Sequence, residues 1–184
     1  MPRPLLTLLC LCPVAAFAQV VDQTPPLDVL LPPAASAEPA PTETIALAIQ
    51  NVVSDTPNLA LETNAQGEEI MVMLSDVLFS FGEAAIRPEA EATLSAVAEV
   101  LSGMEGVVIE GHTDVIGPAD FNLILSVQRA EAVRDWLITA GVPETTLEVV
   151  GRGETQPLPP ERLPEGITRR EELSLNRRVE FVLP

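Results

Sequence analysis

The apolar positions change period along this chain, and each change marks an element. Ile70 to Leu74 is a continuous β-prone run that follows the turn-rich Asn64-Ala65-Gln66-Gly67. Val77 to Phe81 comes next, with Phe79 and Phe81 expected on one face of an extended strand. Ala90, Leu94, Val97 and Leu101 then recur at helical spacing. Pro88 stands at the helix start, Glu89 and Glu91 in its first turn, and Gly103 beyond its end. Val107-Val108-Ile109 predicts a buried strand ending at Gly111. A polar loop from His112 to Asp120 leads to a second helix from about Phe121 to Ala140, closed by Gly141 and Pro143. Leu147, Val149 and Val150 predict another strand, a long loop runs from Gly151 to about Asn176, and Val179 to Leu183 forms the final strand.

Strand, helix, strand, helix, strand in that order predicts an α+β (α/β) domain over residues 70–184. Its mixed sheet is expected to have helices packed on it, parallel pairs joined by right-handed crossovers, and the closing strand antiparallel beside them. Upstream, residues 43–69 leave a choice. Ile45, Leu47, Ile49, Val52 and Val53 fit a short helix or a strand, ended by Pro57. Residues 19–42 are rich in Pro and Ala, which predicts an extended, disordered linker. Residues 1–18 carry Arg3, an apolar run from Leu5 to Phe17 and the small-x-small triplet Ala16-Phe17-Ala18. These predict a signal peptide cut before Gln19, and export. That run is shorter than the roughly 20 apolar residues a helical span needs. Leu9 and Leu11 precede Cys10 and Cys12, where lipidation would need a small residue. The mature chain is therefore expected to carry no lipid, no cysteine and no transmembrane span.

Charge narrows the partners. The formal net charge is -17, and all ten basic residues are Arg. Phosphate backbones and anionic lipid surfaces are both read by clustered cations, so nucleic acid and such membranes are expected to be excluded.

One anomaly remains on the second helix. Leu125, Arg129, Val133 and Leu137 follow at four-residue steps, placing Arg129 in an apolar row near the helix start. A guanidinium there needs partners, because a buried unpaired charge is costly. An internal ion pair with Asp114 of the preceding loop would satisfy it. So would a ligand bearing an ammonium and a carboxylate on one carbon, held by Asp114, Arg129 and a backbone anion nest shaped by Gly111, Gly117 and Pro118.

Ile109-Glu110-Gly111-His112-Thr113-Asp114, Gly117, Asn122, Leu125-Ser126, Arg129-Ala130, Val133, Leu137, Gly141, Gly151-x-Gly153 and Asn176-Arg177-Arg178-Val179-Glu180 form one ordered pattern. It closely resembles the OmpA-like C-terminal domain of outer-membrane protein A, peptidoglycan-associated lipoproteins and flagellar stator proteins. The resemblance implies non-covalent binding of peptidoglycan in the periplasm, by recognition of stem-peptide diaminopimelate. It carries the amino-acid clamp onto Asp114 and Arg129, and the pocket lining onto Asn122 and Leu125. Thr113 and Arg177 are candidate rim residues, with Arg177 and Arg178 not distinguished between rim and structural roles. Other envelope proteins are candidate partners, and a protein-docking module on the same fold is the alternative function.

Two departures stand out. Where many relatives carry Phe-Asp-x-Asn, this chain reads Phe79-Ser80-Phe81-Gly82, and it shows neither a β-barrel nor a lipobox. No cofactor, metal or catalysis is expected. His112 is the sole histidine and has one nearby carboxylate, Asp114, too few ligands for zinc, and Ser126 has no second histidine to serve it.

Overall fold

The computed structural model describes residues 41–184; the predicted leader and nearly all of the predicted linker lie outside this range. The described residues form one unit. Its elements are α1 (Pro41–Asp55), β1 (Leu59–Thr63), β2 (Glu69–Leu74), the single turn α2 (Ser75–Leu78) and α3 (Glu91–Leu101), then β3 (Val107–His112) and α4 (Ala119–Thr139). They continue with β4 (Leu147–Gly153), α5 (Arg169–Asn176) and β5 (Arg178–Val182). The strands form one mixed sheet in the order β1-β2-β5-β3-β4, with β3 and β4 parallel and the other neighbours antiparallel. The expected α+β architecture is present, and the closing strand lies antiparallel beside the parallel pair as expected, at the centre of the sheet.

Alternation along the strands assigns the two faces. Met71, Met73, Val107, Ile109, Val179 and Phe181 point into the core, where they meet Leu94, Val97 and Leu101 of α3 and Ala130, Val133 and Leu137 of α4. Residues 43–63, left open by the sequence, join the same core: α1 contributes Ile49 and β1 contributes Leu59. Helix α1 begins at Pro41, so the last two residues of the expected linker are helical.

Local chemistry explains the boundaries. Pro88 opens a short 3-10 turn that runs into α3. Helix α4 ends in a Schellman motif: Gly141, at φ 105°, donates to Ile138, and Val142 donates to Leu137. Two expectations fail here. Val77 to Phe81 is not a strand, because α2 and a turn occupy it; Phe79 is buried while Phe81 is 91% exposed. The stretch from Gly151 to Asn176 is not all loop, because it contains the end of β4, a 3-10 turn at Pro160–Arg162 and α5. Helix α5 starts with a capping box, in which Thr168 and Glu171 satisfy each other's backbone N–H groups. Among the described residues, no helix is long and apolar enough to cross a membrane.

Candidate functional site

The end of β3 and the flank of α4 are pressed together by missing side chains. A Cβ on Gly111 would collide with the Ser126 carbonyl, and one on Gly151 with Ser126 and Val127. The Ser126 hydroxyl accepts from Gly153 N–H at 2.9 Å and donates to Leu123 O at 2.7 Å, stitching α4 to β4. Ser126 is thus spent on structure. The contact fixes the first half of α4 against the loop that follows β3.

That loop presents Asp114. Its Oδ1 accepts from Ile116 N–H at 2.9 Å, an Asx turn that sets the side chain. Its Oδ2 accepts from Arg177 Nη1 at 2.7 Å. Asn122, expected to line a pocket through its amide, is spent inside the loop instead: its Nδ2 donates to Asp114 O, Ile116 O and Glu154 Oε2. Leu125 is buried on the Arg129 side of α4. Thr113 donates its backbone N–H to Gly153 O, and its buried hydroxyl makes no hydrogen bond among the described residues.

Arg129 sits at the middle of α4, not near its start, and is only 4% exposed. The Asp114–Arg129 ion pair that the sequence allows does not form, since Asp114 pairs with Arg177; among the described residues Arg129 has no salt bridge. Instead Nε donates to Glu83 O at 3.0 Å, and the guanidinium carbon lies 5.2 Å from the centre of the Phe79 ring. Its terminal nitrogens make no hydrogen bond among the described residues. Burial pulls its pKa below the ordinary guanidinium value, with the charges of Asp76 and Asp114 opposing and that of Arg177 adding.

The two adjacent arginines separate. Arg177, just after α5, is held by Asp76 through Nε at 3.1 Å and Nη2 at 2.7 Å, and reaches Asp114 with Nη1. Ser174 also donates to Asp76, at 2.8 Å. Arg178, one residue on, begins β5 and points to the other face, where it donates to Glu180. Asp114, Arg129 and Arg177 therefore form one cluster with Asp76 and Phe79. Neither Asp76 nor the Glu83 carbonyl carried a signal in the sequence, since their contacts span 101 and 46 residues.

The carboxylates beside His112 are not the Asp114 that the sequence offers: Nε2 lies 3.7 Å from Glu110 and 3.7 Å from Glu180, both buried. Burial holds the imidazole near pKa 3, so it is neutral at pH 7. Glu110-x-His112 on a strand, two residues apart, was the readable sign of a shared face.

Residues 78–171 match the OmpA family, a stretch that contains Thr113, Asp114, Asn122, Leu125 and Arg129 but not Arg177. Outer membrane protein A of Escherichia fergusonii is 40% identical over 88 residues, 46% of this chain and 36% of that protein. The Escherichia coli O157:H7 protein of the same name is also 40% identical over 88 residues, 25% of its length. The matched segment thus spans only a quarter to about a third of these relatives. A MotB-like protein from Desulfovibrio vulgaris shares the fold with TM-score 0.62 at 24% identity, over 77% of this chain and 91% of that one. The cell wall anchor of the T6SS from Pseudomonas aeruginosa does so with TM-score 0.58 at 24% identity, over 76% and 95%. With a family match across half its length and the family's mixed sheet in its fold, the chain belongs to the OmpA family.

Proposed function

We infer that this domain holds peptidoglycan non-covalently in the bacterial periplasm, by recognising the diaminopimelate of the stem peptide, and so links envelope components to the cell wall. The observation that carries the reading is Arg129: a buried guanidinium, steered by Glu83 O and Phe79, with its terminal nitrogens unspent. A carboxylate is the group such a fork takes in two parallel hydrogen bonds. Asp114 takes the ammonium on the same carbon. In the free protein Arg177 Nη1 stands on that carboxylate, and Arg177 keeps its two bonds to Asp76 when a ligand ammonium displaces Nη1. Asn122 acts behind the site, fixing the loop. The outer membrane proteins and the cell wall anchor among its relatives and neighbours support the envelope setting.

Sedimentation with insoluble peptidoglycan tests this. Asp114→Ala and Arg129→Ala each lose about 2–5 kcal/mol of binding, because the partner charge is left unmatched in a desolvated site. Peptidoglycan with lysine in place of diaminopimelate binds weakly, since it offers Arg129 no carboxylate. Thermal melts accompany both variants. Full binding by a folded Arg129→Ala protein, or equal binding to both wall types, refutes the reading and favours a protein-docking module.

A further inference from the structure

On the sheet face turned away from the helices, β3 and β5 place two carboxylates directly opposite each other: Glu110 and Glu180 are register partners. Like charges in that position repel, and both residues are buried. Arginines take most of their oxygens. Arg152 bonds both oxygens of Glu110, and Arg178 and Arg162 bond Oε1 of Glu180. Oε2 of Glu180 accepts no hydrogen bond among the described residues. It lies instead 3.7 Å from Nε2 of His112, as does Oε2 of Glu110.

His112 is 1% exposed, and neither of its ring nitrogens makes a hydrogen bond among the described residues. Such a group pays its full desolvation cost without return. The separation is too long for a hydrogen bond. It suits a shared ion: donors 3.7 Å apart, each about 2.1 Å from a metal, subtend about 120° there.

We propose that Glu110, His112 and Glu180 bind one divalent transition-metal ion of the zinc class. One imidazole nitrogen and two carboxylate oxygens form a three-ligand set for zinc, whereas magnesium and calcium prefer oxygen alone. Arg152 and Arg178 hold the carboxylates in place by hydrogen bonds, as outer-shell groups do around metal ligands. Glu62 pairs with Arg162, and Glu68 and Glu148 line the same face, so carboxylates outnumber guanidiniums around the site. A cavity of about 710 Å³ borders Glu110 and Glu180, on whose side a fourth, water ligand would stand. The site lies across the sheet from Arg129 and does not depend on wall binding.

The test uses the full chain with Cys10→Ser and Cys12→Ser, which removes competing thiols. Metal is stripped with chelator, Zn²⁺ is added, and the protein is desalted before metal content is measured. One equivalent is retained, and His112→Gln and Glu180→Gln each weaken retention about tenfold or more. Because the chain has one histidine, the imidazole ¹⁵N signals belong to His112 alone, and Zn²⁺ shifts Nε2. That titration needs no substitution at the site and decides the matter even if a variant fails to fold. An imidazole signal unmoved by Zn²⁺, or retention undiminished in folded His112→Gln, overturns the proposal.

Discussion

Asp76 and Arg177 lie 101 residues apart and make the site's only two-pronged ion pair, with Asp76 half exposed. The hydrogen bonds from Arg177 outweigh burial and hold the Asp76 carboxyl below its ordinary value of 3.8; Ser174 and the charge of Arg129 add to this. A carboxyl that gives up its proton more readily when folded stabilises the fold above its unfolded pKa. That contribution is lost as pH falls through the lower, folded value. A carboxyl ¹³C titration should place Asp76 below 3.8, and Arg177→Gln should move it back up; an unchanged midpoint in the variant would remove Arg177 as the cause. Gly82, where many relatives carry Asn, sits at φ 73° in a turn closed by Glu83 N–H on Ser80 O. Glycine and asparagine are the residues that enter this region most readily, so the position serves the turn that offers the Glu83 carbonyl to Arg129.

Elements with a strong apolar period were legible, and those without one were not. Helices α3 and α4 and strands β3 and β4 each carry an apolar stripe or run, and their positions were foreseen to within a few residues. Helix α5, reading Arg-Arg-Glu-Glu-Leu-Ser-Leu-Asn, has no such stripe, and hydropathy passed over it. Its capping box, Thr168-x-x-Glu171, was the sign available. Strand β1 is a five-residue partner on the sheet's edge, too short to show its alternation. Of the site, Asp114 and Arg129 were legible from the row of apolar residues and the family pattern. Their true partners, Arg177 and the Glu83 carbonyl, come from distant segments that no spacing rule connects. Thr168→Ala should lower stability by about 1 kcal/mol, as loss of an N-cap does, read as a drop in melting temperature. Since Arg177 follows directly on α5, peptidoglycan sedimentation should weaken in step. A variant that melts like the unsubstituted protein would show that α5 is fixed by other means.

For the whole molecule, charge and targeting point the same way. A chain with net charge -17 and no lysine is poorly suited to polyanions, and the cluster around Asp114 gathers two locally placed arginines, Arg129 and Arg177, instead. Export rests on residues 1–18, outside the described range, and we propose cleavage before Gln19. Intact-mass measurement of protein from the periplasm should show loss of residues 1–18 and no acyl adduct; a mass that retains Cys10 and Cys12, or adds lipid, would contradict it.

The central place of β5 has a consequence for time rather than space. β1 and β2 pair locally as a hairpin, and β3 and β4 join through α4, but β5 alone connects the two halves. Whichever way the chain is threaded from its N-terminus, the inner edges of both halves wait unpaired until the last strand arrives. Loop closure between β2 and β5 spans about a hundred residues, an entropic cost met only at the end. The domain therefore locks late and as a whole. A chain halted before Arg177 has two open sheet edges and no guanidinium on Asp114, so an incomplete copy loses the sheet and the Asp114 cluster in the same step.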